Sequence, residues 1–323
     1  MHTTARPTAA VAIGDAAFAA DALTGVAAVP SVAASARRAA DDALASAGIR
    51  ILEAHDQPAT ERVADVLSRI WGRDDGMIDP ALLVAMAHAG NPVGLVVPAD
   101  RAPEVAADAP LGAAVGFCGP PGMPFHSHIV GLLPDAVGRG RGRAVKLAQR
   151  AWCLERGIEA MTWTYDPLVA RNAYFNVRRL GAAALAYLPD FYGVMTDAIN
   201  AGQHSDRVLI RWDLLRTPPA PGAAASPAPL LDGAAAAVAD LDGAPTTYVP
   251  PTDPTRPVTV AVPADVERLR GTDPALARRW RLETRAAFTD LLASGWSITD
   301  VTRSGQYVLR RAHRPAPEGP TPE

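Results

Sequence analysis

Hydrophobic and polar positions alternate along this chain with two different periods. Gln57 to Trp71 sets Val63, Val66, Leu67, Ile70 and Trp71 at helical spacing, and Asp79-Pro80 has the form of a cap followed by a first-turn proline, so the pattern predicts two helices. Three short apolar runs follow at Val93 to Val97, Ala113 to Cys118 and Ile129 to Leu133, each bounded by Gly or Pro. Such punctuation predicts strands, and three in succession predict an antiparallel meander. After Gly142 the helical period returns: Ala144, Leu147, Ala148, Ala151 and Trp152 form one stripe, and Arg143, Lys146 and Arg150 lie away from it. Ile158 to Thr164 reads as a strand, Ala170 to Leu180 as a helix stopped by Gly181, and Val208 to Leu214 as a final strand. Near the C-terminus, Asp273-Pro274 opens a helix carrying Leu276, Ala277, Trp280, Phe288, Leu291 and Leu292 as far as Gly295. Trp296 to Thr302 and Gln306 to Arg310 then flank Ser304-Gly305 as a hairpin. The predicted class is α/β, a mixed and mainly antiparallel sheet flanked by helices, with a small C-terminal helix-hairpin unit.

Composition divides the chain. Residues 1 to 48 are rich in alanine and poor in large apolar side chains, which predicts a loosely attached, flexible extension. Between Thr217 and Arg256, Pro, Ala and Gly make up 23 of 40 residues, a composition that predicts a linker. The expected organisation is therefore a main domain at 49–215, a linker at 216–256, an accessory helix plus hairpin at 257–314, and a tail at 315–323. The accessory unit is too small to be stable alone. It is expected to dock on the main domain or on a second subunit, which makes substrate covering and homodimerisation its two candidate roles.

Charge and cysteine content exclude several functions. Thirty-one Lys plus Arg against 34 Asp plus Glu is too balanced for a chain that coats nucleic acid or anionic lipid. Two cysteines cannot make a disulfide framework, and no Cys/His cluster suggests a metal, so a reducing cytoplasm is the expected compartment. Asp15 and Asp21 interrupt the N-terminal apolar stretch, which argues against a secretory signal. Gly90-Asn91-Pro92 breaks the longest uncharged run, which argues against a membrane helix.

The candidate chemistry begins at Gly138-Arg139-Gly140-Arg141-Gly142-Arg143, between a strand and a helix. Unpaired first-turn amides and the helix dipole favour an anion there, and glycines let a phosphate approach the backbone. GxxxxGK[ST] is absent and GxGxxG fails at Arg143, which disfavours a nucleoside triphosphate or NAD. A plain glycine-arginine turn and an RNA contact remain as alternatives on spacing alone.

The order of elements around this turn narrows the choice. Leu132-Leu133-Pro134 ends a strand, the glycine turn and a helix follow, then a strand, then Asn172-Ala173 and Leu180-Gly181. Together these resemble the GNAT acyltransferase superfamily, respectively its strand-end V-x-P, its pyrophosphate loop, its motif B asparagine and its LGF corner. His126-Ser127-His128, Lys146-Leu147-Ala148-Gln149-Arg150, Thr162 to Pro167 and Tyr187 to Gly193 are similar to a GNAT branch with a C-terminal extension. The resemblance covers 49–215. It implies a GNAT-like fold and an acyl-CoA-dependent N-acyltransferase, with acetyl-CoA or another acyl-CoA as cosubstrate, no metal, and a small-molecule or protein amine as acceptor. By the same resemblance the backbone of Leu132 and Leu133 binds the pantetheine arm, amides of Gly138 to Gly142 hold the pyrophosphate, and Arg139, Arg141, Arg143 and Asn172 are further cosubstrate contacts. Nucleic acid and membrane are not expected partners.

Two departures stand out. Val137 occupies a position where the family usually has Gln or Arg, and Val177 occupies that of the tyrosine which often protonates the departing thiolate. Tyr174, on the same helix face as Val177, is the substitute acid. His126 and His128 lie two apart on a strand and titrate near neutrality, so either can act as base; His128 is preferred as nearer the strand end. Asp166 is a candidate for orienting a histidine or holding a cationic substrate, or for a simple Asp-Pro turn. A catalytically silent acyl-CoA-binding module is the rival reading, favoured by the missing tyrosine.

Overall fold

The computed structural model describes residues 11–12, 29–73, 76–194, 203–220 and 231–311. The expected tail at 315–323 and most of the N-terminal extension lie outside these. The meander forms as expected, with one further strand at its edge: β2 (Ile49–Glu53), β3 (Val93–Pro98), β4 (Gly112–Phe117) and β5 (Phe125–Leu132) pair antiparallel in that order. Beside β5 lie β6 (Ala160–Tyr165), β8 (Arg207–Asp213), β7 (Ala183–Leu188) and the short β1 (Val11–Ala12), completing an eight-stranded sheet. Among the described residues β5 and β6 are its one parallel pair. The fold class is the predicted one, mixed α/β with a mainly antiparallel sheet.

Helices α2 (Gln57–Trp71) and α3 (Pro80–His88) carry the expected signals. Asp56 and Asp79 accept first-turn amides of Ala59 and Ala81, and each helix has proline in its first turn. The two helices and the short α4 (Pro103–Ala107) join one end of the sheet in a cluster of Val63, Val66, Leu67, Leu83, Leu95 and Val115. Helix α5 (Arg141–Leu154) lies across the middle of the sheet, against β5 and β6. It is buried almost throughout, Lys146 and Arg150 included, which corrects the polar flank expected from its period.

The cause is α1 (Val29–Ala47), which lies against α5 inside the stretch expected to be a flexible extension. Its Ala33, Ala36 and Ala40 join the buried cluster that contains Ala148 and Ala151 of α5, and Arg37 clasps Glu155 with two bonds of 2.7 and 2.8 Å. Small side chains bring helices close, so burial here comes from proximity and needs no large apolar residue.

The expected linker is also corrected. It contributes β9 (Ala235–Val238), which pairs parallel with β12 (Val258–Ala261), and a ribbon of β10 (Asp240–Leu241) and β11 (Ala244–Pro245). With β13 (Trp296–Val301) and β14 (Gln306–Arg311), strands β9 and β12 form a second sheet of order β13-β14-β12-β9. The expected helix-hairpin is present as α8 (Pro274–Ala293) followed by β13 and β14, and α7 (Val266–Thr272) precedes it. This unit shares one core with the large sheet: Phe288 of α8 lies 5.6 Å from Tyr187 and 4.9 Å from Tyr307, ring centre to ring centre.

Charge locks the same junction. Asp166, at the end of β6, receives both terminal nitrogens of Arg281 at 2.8 and 2.6 Å and Arg270 at 2.5 Å. Asp206 receives Arg285 at 2.9 and 2.5 Å and the Tyr187 hydroxyl at 2.5 Å. Burial alone would raise the Asp166 pKa, but Arg281 and then Arg270 overcome it and hold the carboxyl far below the usual range. With both oxygens committed, Asp166 neither orients a histidine nor holds a substrate cation.

Candidate active site

Strands β5 and β6 pair only through Phe125 with Met161 and His126 with Thr162. Beyond those rungs β6 continues against β8, while β5 continues to Leu132 against β4, so the two strands part and leave a wedge. A bulge lies at its apex: Val115 opposes Ile129, but Phe117 opposes His126, which puts one extra residue into β5 at Ser127-His128. Bulges bend a strand and increase its twist, which accounts for the divergence.

Hydrogen bonding decides which amides face the wedge. Leu133 N–H donates to Leu111 O at 2.8 Å on the β4 side. By the alternation of an antiparallel ladder, the amides of Leu132 and Val130 point the other way, into the wedge. Leu132 is therefore the available donor of the Leu132-Leu133 pair.

The wedge leads to the glycine turn. Gly138, Arg139 and Gly140 have φ of 103°, 50° and 74°, and α5 starts at Arg141 without a side-chain cap. Leaving the N-terminal amides uncapped by side chain is the condition for anion binding at a helix end. A Cβ added at Gly138, Gly140 or Gly142 would meet nothing within 4 Å, so the backbone is open to approach.

The arginines of the turn divide. Arg139 is exposed, whereas Arg141 donates to Ala136 O at 3.1 Å and Ala47 O at 3.4 Å, and Arg143 donates to Pro219 O at 3.0 Å. Arg141 thus braces the turn, and Arg143 ties the helix start to the chain at Pro219. Asn172 is exposed on the short α6 (Ala170–Ala173), which runs into a π-helical turn at Tyr174–Arg179. Tyr174 is half-buried, with Arg303 of the C-terminal hairpin 5.6 Å from its ring centre, so the hairpin tip covers this helix.

The apex carries different chemistry on the two sheet faces. On one, His126 and His128 have ring centres 6.1 Å apart, with Phe117 at 5.0 and 5.9 Å from them, and His126 Nδ1 lies 3.2 Å from Thr162 Oγ1. Thr164, two residues on, lies 3.3 Å from the Tyr192 hydroxyl. The two histidines thus share a face, as expected. Burial, then the neighbouring His128 and Lys146, lowers the His126 pKa to about 4, and burial also lowers that of the more open His128. At neutral pH both imidazoles are uncharged, and both titrate below the near-neutral range expected of them, which weakens each as a base.

On the α5 face Lys146 Nζ donates to Ser127 Oγ at 2.8 Å, and Ser127 Oγ donates to Gln149 Oε1 at 2.9 Å. Lys146 Nζ also lies 3.8 Å from the ring centre of Trp163, whose Nε1 donates to Asn176 Oδ1 at 3.2 Å. The sequence motifs include Ser127, Lys146 and Gln149 but give them no role, and the helical stripe assigns Lys146 to the polar flank. The presence of a lysine and a glutamine at i and i+3 on one helix carries no signal of what they meet.

No family model matches the chain, and no curated protein matches it. Among solved structures it is similar to a GNAT-superfamily phosphinothricin acetyltransferase from Sinorhizobium meliloti in complex with AcCoA, at 14% identity and TM-score 0.40 over 53% of this chain and 93% of that one. It is also similar to Ard1 from Thermoplasma volcanium, at 15% identity and TM-score 0.39 over 52% of this chain and 99% of that one. A third is an aminoglycoside 6'-N-acetyltransferase complexed with coenzyme A, at 11% identity and TM-score 0.38 over 53% of this chain and 98% of that one.

Proposed function

We propose that this protein is an acyl-CoA-dependent N-acyltransferase, with acetyl-CoA as the preferred donor, that transfers the acyl group directly to an amine. The observation that carries the reading is the wedge between β5 and β6, with donor amides along one wall and an open glycine turn at a helix start where it ends. In this reading amides at Gly138 to Gly142 hold the pyrophosphate with Arg139 beside them, Leu132 N–H positions the pantetheine arm, and Asn172 contacts the cosubstrate from α6. Attack of an amine on a thioester requires in-line positioning and donors at the developing oxyanion, which fixed amides supply. His128, neutral and on the face away from α5, takes the proton of the attacking amine.

Fluorescence titration with CoA, followed by thiol release across a panel of small amines and peptide N-termini, tests the reading. Gly142→Val is the sharper probe of the turn, because Gly142 has an ordinary φ and open space, whereas Gly140 at φ 74° would be strained by any side chain. The variant is expected to keep its fold and weaken CoA binding by about tenfold or more, the effect of losing one to two charge-assisted contacts at roughly 1.5 kcal/mol each. Unchanged CoA affinity would remove the pyrophosphate from this turn.

His128→Ala is expected to lower turnover at pH 7 by about a hundredfold, within the usual range for a general base, and its deficit relative to the unmutated protein is expected to narrow as the pH nears the pKa of the acceptor amine. Tyr174→Phe is expected to matter less. If Tyr174→Phe is inactive and His128→Ala is near normal at every pH, the tyrosine is the proton donor and the histidine is structural. Val177 at the usual acid position supports the second reading, a silent acyl-CoA-binding module, which predicts CoA binding with no thiol release for any amine.

A further inference from the structure

Lys146 is a buried amine at a strategic point. It is 5% exposed, and among the described residues no carboxylate lies within ion-pair reach of it. Its two neighbours are Ser127 on β5 and Trp163 on β6, residues immediately past the last parallel rung at His126 and Thr162. The amine thus bridges the two strands where they begin to part, on the floor of the wedge apex. A lone buried cation is costly, and packing alone would be served better by methionine.

We propose that Lys146, acting through the Ser127 hydroxyl, is the proton source for the departing thiolate, in place of the tyrosine that this chain lacks at Val177. The inference rests on the transferase reading and names the acid in it. As the acceptor nitrogen bonds to the acyl carbon and the carbon–sulfur bond breaks, Ser127 Oγ–H turns from Gln149 to the thiolate and replaces its proton with one from Lys146. The product is a free thiol. Lys146 is left as the neutral amine, the proton shed by the acceptor leaves through His128, and Lys146 regains a proton from solvent before the next turnover.

The surroundings suit a group that gives up and regains a proton. Burial lowers the Lys146 pKa to about 7. The titratable groups facing it are Cys153 on its own helix, whose thiol burial keeps neutral, and His126 on β5, whose imidazole is neutral at this pH. Gln149 holds Ser127 in place without carrying charge.

The test is the pH dependence of kcat in the full chain, with Lys146→Met and Ser127→Ala beside the unmutated protein. The unmutated protein should lose kcat above about pH 7 as Lys146 deprotonates. Both variants should lose at least tenfold in kcat at pH 6.5, retain CoA affinity within about threefold, and Lys146→Met should lack the decline above pH 7. A thioester of nitrothiophenol, whose thiolate leaves without a proton, should shrink the deficit of both variants, which a merely structural role would not do. Lys146→Met with normal CoA affinity, kcat within twofold and an unaltered pH profile overturns this inference and leaves the transferase reading standing. An unmutated protein that binds no CoA, or binds it without releasing thiol for any amine, overturns both.

Discussion

Ending the chain at residue 256 is expected to abolish cooperative folding, not to release a stable main domain. The truncation removes Trp280, Phe288 and Tyr307 from a core that also contains Tyr187, Val208 and Trp163, so the large sheet is left with one apolar face uncovered. It also strips Arg270, Arg281 and Arg285 from Asp166 and Asp206, both buried. Removing one partner of a buried pair costs about 3–5 kcal/mol, and a domain has only about 5–15 kcal/mol in all. Size-exclusion chromatography and thermal unfolding of the 1–256 fragment measure this. A soluble monomer that melts cooperatively at the temperature of the full chain would show that the second sheet is dispensable. Deleting 235–245 is expected to be harmful for the same reason, since it takes away β9 and with it buried Ala237 and Val238.

Asp166→Asn, a single-atom change in the large sheet, is expected to cost about 3–5 kcal/mol at pH 7, because two guanidinium groups that are each 2% exposed lose their shared counter-charge. The dependence on pH identifies the cause. The folded-state pKa of Asp166 is depressed below the ordinary value of 3.8, so its stabilisation is fully present above about pH 4 and is lost as the pH falls through that value toward the folded pKa. Urea denaturation of the two proteins should therefore differ widely at pH 7 and converge as acid is added below pH 4. A gap of constant size across that range would assign the loss to packing and not to charge. Arg281→Met alone should be less harmful than Asp166→Asn, since it leaves the carboxylate with Arg270.

The parts of this architecture written in local pattern were legible. Strands β3 to β6 and helices α2, α3 and α8 carry alternating or helical spacing between Gly, Pro and Asp punctuation, and each lies within a few residues of its expected place. The order of strand end, glycine turn and helix was visible for the same reason. Helix α1 was not, because its alanines bury only in combination with those of α5, more than a hundred residues on, and a pattern search sees one helix at a time. Strand β9 is an Ala-Ala-Ala-Val run in a proline-rich setting, made into a strand by the edge that β12 offers. Lys146 falls outside the apolar stripe because helical period locates a single stripe, whereas α5 is enclosed by the sheet and by α1 together. Asp166 was visible as a candidate, but its partners stand 104 and 115 residues away, where no spacing rule reaches.

That separation also sets an order of events during synthesis. Asp166 leaves the ribosome 115 residues ahead of Arg281, and at about 5–20 residues per second the wait is roughly 6–23 s. Once β8 has emerged, β6 can pair with it, but its terminal carboxylate and the Tyr187 face of the sheet have no counterpart. Early collapse of the main sheet is therefore reversible until α8 arrives, and the nascent chain passes through an interval in which the face that α8 covers is open to a chaperone or to a second nascent chain. Slower elongation between 214 and 273 would lengthen that interval without touching a single native contact.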